Sequence, residues 1–383
     1  MKRRCVWLLL ALFLCLFVPA AAEGEAPETL DELYNQQLEA SGAEELFEQL
    51  PAGTRRFLAD IGITGLDADG ITGLQPAGLL QQLLNLFSEQ AGGPIRACGI
   101  VLGIVLLCAL MDGVRQTVRE PAAADVFGVV CALAAAIAIL SPVAGCIRSV
   151  CAATESTSVF MLSFVPVYSG VLLTTGQAAT ALSYNTIVLF VAELLSMLAA
   201  HVVVPLMTIS LAMGLTGAVS GGLRLDAAGT LLHKIGVWLL GITTTIFVGL
   251  LSIQGIVGAA ADTLGGRAIR FSLASFVPVV GGALGEAFNT VKGCLSLLKS
   301  TLGGFGILAT AFIVLPPLLE CAAWVLCLSI CTMAADMFAL PAVSAILKTA
   351  QGVVKTLIGV LSASALFMIV STTIVTVAGN AAV

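Results

Sequence analysis

Apolar positions in this chain form long uninterrupted runs, at residues 97–113, 124–147, 185–222, 236–258, 302–338 and 352–378. Runs of roughly 18 apolar residues or more mark helices that cross a membrane. Two runs are too long for one crossing. As a helix, residues 185–222 would reach about 57 Å at 1.5 Å per residue, against a hydrocarbon core of ~30 Å. Each long run carries a proline near its middle, Pro205 in VVVPL and Pro317 in VLPPLL. Proline removes an internal hydrogen bond and breaks or kinks a helix. Each run therefore predicts two crossings joined by a tight turn at these helix-break positions. The pattern is an all-α polytopic membrane protein of about six to eight transmembrane helices, closing on the helix 352–378.

The first residues follow another pattern. Lys2, Arg3 and Arg4 precede an apolar stretch from Cys5 to Val18, followed by Pro19 and Ala20-Ala21-Ala22. A basic start, a short apolar core and small residues before a polar segment predict a signal peptide over 1–22, cleaved before Glu23. Residues 23–93 are then a small exported helical segment. Leu30, Leu33, Tyr34 and Leu38 share one helix face, and Leu79, Leu80, Leu83, Leu84 and Phe87 share another. Such faces pack on each other, or dock on a partner or on the membrane surface. The transmembrane domain occupies 94–383.

One phrase occurs twice. Ser163-Phe164-Val165-Pro166-Val167 recurs as Ser275-Phe276-Val277-Pro278-Val279, with Gly170 matched by Gly282. The prolines at 205 and 317 keep the same offset of 112 residues, which points to an internal duplication with units near 124–222 and 236–338. If Pro205 divides residues 185–222, three crossings separate the copies and the repeat is inverted, a plan shared by many transporters. Each copy is then either a proline-held break lining a protein-walled cavity or the first turn of a surface helix. The first is followed by Thr174, Thr175, Gln177, Thr180, Ser183 and Asn185. After the second, Leu284, Phe288, Val291, Leu295 and Leu298 form a stripe suited to an interfacial helix.

Composition and charge sharpen this picture. Apolar residues make up 58% of 383 and charged residues 10%, a balance that leaves too little polar surface for a soluble protein. Residues 23–93 carry 13 acidic and two basic residues, a net −11, as expected for a segment outside the cytoplasm. Arg115 and Arg119 then lie inside. Under the inverted count Arg267, Arg270, Lys292 and Lys299 do too, while Arg224 and Lys234 fall outside against the rule. No catalytic, cofactor or metal motif stands out. Asp67-Ala68-Asp69-Gly70 resembles the start of a calcium loop, but Gly65 and Pro76 sit where carboxylates are needed. Cys321, Cys327 and Cys331 sit in apolar surroundings without a nearby histidine and read as buried thiols. Intramembrane Glu193 and Glu320 are candidate functional acids because a carboxylate is costly in a bilayer. An enzyme is not indicated.

The leader MKRRCVWLLLALFLCLFVPAAA, the acidic exported segment, SFVPVYSG with its polar sequel and SFVPVVGG together resemble the stage III sporulation protein AE family over nearly the whole chain. The resemblance implies a non-enzymatic component of the channel-like complex between mother cell and forespore, supporting late forespore gene expression. It implies the mother-cell membrane around the forespore as location, with residues 23–93 on the intermembrane side. Partners implied are the other membrane subunits of the stage III sporulation A complex, its ATPase and its ring-forming component. Contact is with membrane lipid and not nucleic acid, and no cofactor is implied. Two roles fit, a permease-like conduit subunit and a scaffold that assembles partners without conducting. The leader carries the first prediction: N-terminal sequencing of membrane-extracted protein should begin at Glu23, and a chain still starting at Met1 would make the leader an anchor.

Overall fold

The computed structural model describes residues 28–63, 65–66, 76–115, 121–219, 225–276 and 281–380. Side chains are described over a narrower set, without 28–33, 36, 76–80, 114–128, 218–227, 265–292 and 378–383. The leader, Asp67–Gly70 and Val277, Pro278 and Val279 lie outside the described residues. Three short helices, α1 (Glu28–Ser41), α2 (Glu44–Glu48) and α3 (Ala52–Asp60), precede the long ones. These are α4 (Pro76–Arg115), α5 (Pro121–Thr174), α6 (Ala178–Leu198), α7 (Val204–Val219), α8 (Leu225–Phe276), α9 (Gly281–Met337) and α10 (Pro341–Asn380). A π-helical segment, Ala199–Val203, joins α6 to α7. Among the described residues, six helical runs are long and apolar enough to cross a membrane.

The prolines do not break these runs. Pro205 cannot donate to the carbonyl four residues back, and the chain absorbs the defect by widening one turn. The Val204 N–H reaches the Ala199 carbonyl, five residues away, and the helix continues into α7. Residues 178–217 are thus one run rather than two crossings. Pro317, beside Pro316, lies within the unbroken α9, and Pro166 lies within α5. Helix interiors tolerate proline where neighbouring elements compensate for the freed backbone groups. α4 likewise joins the Leu79–Phe87 face to the 97–113 run through Pro94.

With the break at Pro205 gone, the inverted count fails. Two candidate spans, Ala178–Gly217 and Ala228–Leu264, separate the copies of the repeated phrase. The first copy occupies the closing turns of α5. Ser275 and Phe276 end α8, and Gly281 and Gly282 begin α9. The first copy and the described residues that flank the second therefore lie towards the same end of the bundle, the first inside a helix. The reading of Ser163–Val167 as a break or a helix start is overturned.

Buried side chains form two cores that the long helices traverse in turn. The upper core unites Tyr34, Leu46 and Leu58 of the short helices with residues 160–172 of α5, 181–195 of α6, 294–313 of α9 and 367–375 of α10. The lower core joins residues 101–108 of α4, 132–153 of α5, 199–211 across the π segment, 314–335 of α9 and 343–363 of α10. The acidic segment does not merely fold on itself. Phe47 meets Phe305 at 6.4 Å between ring centroids and Phe57 meets Phe312 at 4.6 Å, which fixes it against α9. The α5–α6 turn is closed by Gly176 at φ +83°, with the Gln177 N–H donating to the Leu172 carbonyl.

The first copy of the repeated phrase takes part in close helix packing. Phe160, Phe164 and Tyr168 recur every four residues and stack at 5.5 and 5.4 Å along α5. Opposite them α9 presents Gly303 and Gly306. A Cβ at Gly306 would collide with the Phe164 ring, and one at Gly303 would lie 2.7 Å from Thr376 Oγ1 and 3.1 Å from the Tyr168 hydroxyl. Small residues let helix backbones approach where lipid supplies little driving force. Gly306→Val should therefore overpack this contact, costing about 1–3 kcal/mol. Thermal unfolding in detergent should show a lowered midpoint, partly restored when Phe164→Leu is added. An unchanged midpoint would mean that the two helices are not in close contact.

Candidate functional site

Above the aromatic ladder, five helices bring polar side chains together inside apolar surroundings. Lys299 of α9 is only 1% exposed. Its ammonium donates to Gln177 Oε1 at 3.2 Å, in the α5–α6 turn, and to the Thr376 carbonyl of α10 at 3.3 Å. Asp262 of α8 lies within electrostatic reach of it. The same carboxylate caps a neighbouring helix. Its two oxygens accept from the Ala179 and Thr180 N–H groups at 2.8 and 3.0 Å. Those donors have no partner within α6 because they open it, and negative charge is favourable at a helix N-terminus. The Lys299 charge thus meets a carbonyl and an amide oxygen, with a backbone-anchored carboxylate within electrostatic reach.

Two tyrosines extend the network along α10. The Thr376 hydroxyl donates to the Thr372 carbonyl, so the 2.7 Å contact between Tyr168 and Thr376 is donated by tyrosine. Tyr184 meets the Thr372 hydroxyl at 3.3 Å. Thr180, Ser183, Tyr184, Gln254 and Ser371 contribute the polar lining of an adjoining cavity of about 20 Å³. That is room for about one water molecule. The buried oxygens Ser169 Oγ and Asn185 Oδ1 have no hydrogen-bond partner among the described residues. The cluster can hold charge and one small guest.

The sequence-predicted residues distribute unevenly around it. Phe164 and Val165 are buried and Pro166 faces outward from α5, while Ser163 bonds back to the Val159 carbonyl at 3.5 Å. The polar stretch 174–185 does contribute Gln177, Thr180 and Ser183, as described. Lys299 is not a surface cation at the end of an interfacial helix; it points into the bundle. Glu320 sits lower, half-buried, and accepts from the Ser149 hydroxyl at 3.0 Å. Glu193 is exposed on α6, away from both. Cys321, Cys327 and Cys331 are buried. The Cys331 thiol lies 3.8 Å from that of Cys98 on α4, a contact the sequence spacing did not signal. Asp262, Tyr168, Tyr184 and Thr376 were not singled out either, since each is joined to its partner over long sequence separations.

A family model described as Stage III sporulation protein AE matches residues 66–379, which include every residue of this polar network. The chain belongs to that family. A curated relative, Stage III sporulation protein AE of Bacillus subtilis (strain 168), is 22% identical over 239 residues, covering 62% of this chain and 60% of the relative. The chain thus spans about three-fifths of that relative's length. No solved structure matches. The short helices α1–α3 precede the residues matched to the sporulation family.

Removing one member of a buried charged network leaves its partners unsatisfied. Lys299→Met should accordingly cost on the order of 2–3 kcal/mol. Asp262→Asn combined with it should add less than its separate cost, because the two act on one network. Unfolding midpoints of the four proteins in detergent measure the coupling, and strict additivity would show that Lys299 and Asp262 do not communicate.

Proposed function

We propose that this chain is a non-enzymatic, multi-pass membrane subunit of the channel-like complex between mother cell and forespore. In that complex it acts as a packed scaffold that assembles partner proteins. Family membership supports the sporulation role. The observation that carries the scaffold reading is the tight packing of the described interior. The polar cluster opens into a cavity of only about 20 Å³, and the ladder of Phe160, Phe164 and Tyr168 fills the space between α5 and α9 below it. A conduit within one chain would need a continuous hydrated path; the packing favours the scaffold.

The short helices would lie on the intermembrane side. With an even number of spans between the two copies of the repeated phrase, Arg115, Lys234, Lys348 and Lys355 fall towards the lower end of the bundle, and Arg267, Arg270, Lys292 and Lys299 towards the upper. The cations of the long helices thus divide between both ends, and the reading rests on the net −11 of residues 23–93, as befits a segment outside the cytoplasm. The acidic face of α1–α3 is left to meet the other membrane subunits, the ATPase and the ring-forming component being further partners. Tagged full-length protein purified from sporulating cells should bring down other membrane subunits of the complex in a fixed ratio. Recovery of the chain alone, from cells whose complex is intact, would overturn the scaffold reading.

A further inference from the structure

Three thiols converge where α4 packs on α9. Cys98 Sγ lies 3.8 Å from Cys331 Sγ, and Cys327, one turn earlier on α9, also faces Cys98. Residues four apart on a helix share a face, so both α9 thiols address the same residue of α4. Their engagements differ. The Cys327 thiol donates to the Pro94 carbonyl at 3.3 Å. The Cys331 thiol has a long contact of 3.9 Å with the Cys98 carbonyl, and its sulfur stands against that of Cys98. Of the two, Cys331 is the one left to meet the Cys98 sulfur.

Access separates the partners. Cys98 is half-buried, whereas Cys327 and Cys331 are buried. Arg96, two residues before Cys98, is exposed. A guanidinium is costly in hydrocarbon, so this turn of α4 meets headgroups or water, where a thiolate can form. The seam therefore pairs one thiol that a small reagent reaches with one held behind it, the arrangement of an attacking and a resolving cysteine. The helix concerned is also loosely held. Only 22% of the apolar window of α4 is buried, against 50% for α9. A covalent link between the two would supply what packing does not.

We propose that Cys98 is a modification site for small disulfides and that Cys331 resolves the adduct, closing a disulfide that clamps α4 to α9. The Cys98 thiolate attacks one sulfur of the small disulfide and expels the other half as a thiolate, leaving a mixed disulfide on Cys98. The Cys331 sulfur then attacks the Cys98 sulfur and displaces the second half. Each departing thiolate takes up the proton that the attacking cysteine released. The two cysteines lose two electrons together, and the small disulfide gains them as it becomes two thiols. The sulfurs must close from 3.8 Å to the bond length of about 2 Å, a movement within reach of side-chain rotation.

The test uses the full chain in membranes, with a protease site inserted after Arg115. Cys108→Ala is included so that Cys108 and its neighbour Cys131 cannot link the same two fragments. The reagent is 4,4′-dithiodipyridine, a small disulfide that enters membranes. After treatment, blocking of remaining thiols and cleavage, the α4 fragment should stay joined to the rest on a non-reducing gel and separate with dithiothreitol. Cys327→Ser should keep the link; Cys98→Ser and Cys331→Ser should lose it. In Cys331→Ser, Cys98 should instead carry a thiopyridyl group, which distinguishes loss of the resolving thiol from loss of the fold. The linked protein should also unfold at a higher temperature in detergent than the reduced one. Separate fragments in the parent protein, a link that survives Cys98→Ser or Cys331→Ser, or one that fails in Cys327→Ser would overturn the assignment. Equal midpoints for the linked and reduced forms would show that the bond clamps nothing. None of these readouts depends on sporulation, so they stand or fall separately from the role in the complex.

Discussion

Phe164 lies against the bare backbone of Gly306, and the distance between α5 and α9 is set there. Everything above that contact inherits the spacing. With Gly303 one turn away, the Tyr168 ring can lie flat enough along α9 to place its hydroxyl 2.7 Å from Thr376 on α10. Lys299, one turn above Gly303, then reaches both the Thr376 carbonyl and Gln177 in the α5–α6 turn. A larger residue at either glycine would move α9 outward and stretch every one of these bonds at once. Because apolar side chains gain little by leaving lipid for one another, close backbone approach and satisfied polar groups supply the specificity that burial supplies in water. The aromatic ladder and the charged network are two ends of one packing solution.

The same economy explains the prolines. A helix that loses one N–H in water can fray; inside a bundle, the flanking helices hold the chain on course and the backbone adjusts locally. At Pro205 the adjustment is the π turn Ala199–Val203, which carries the run from the upper core into the lower one without reversal. α5 and α9 pass through Pro142 and Pro166, and through Pro316 and Pro317, without leaving the helix. Length, rather than interruption, becomes the organising constraint, since the candidate spans run unbroken for 33 to 46 residues.

Much of this was readable from the chain, and the failures have physical causes. Apolar runs marked the helices well because their signal is local and cumulative. The amphipathic face containing Tyr34 and Leu38 was also visible, and both residues are buried. Proline misled because its cost was assessed for an isolated helix. Thr175-Gly176-Gln177 makes the turn that SFVPV was expected to mark, but three small polar residues among many others carry a faint signal. Lys299 looked like an interfacial cation since residues 284–298 form a stripe; its acceptors at Gln177 and Thr376 are 122 and 77 residues distant. Asp262 was equally silent, because its hydrogen-bond partners belong to the start of another helix. Pairs that define a buried site are long-range by construction, and a single sequence without periodicity at those positions does not display them.

A closed bundle also changes where a passage could lie. Lys299 is held by Gln177 and the Thr376 carbonyl, and the adjoining cavity holds about one water. Opening a route through this interior would mean displacing Phe160, Phe164 and Tyr168 together, since each stacks on the next and the set is keyed into the glycines of α9. Packed cores rearrange between discrete states rather than yielding gradually, and the network above the ladder would have to break in the same step. In this chain it is the rigid contact between α5 and α9 that holds the outer faces in place.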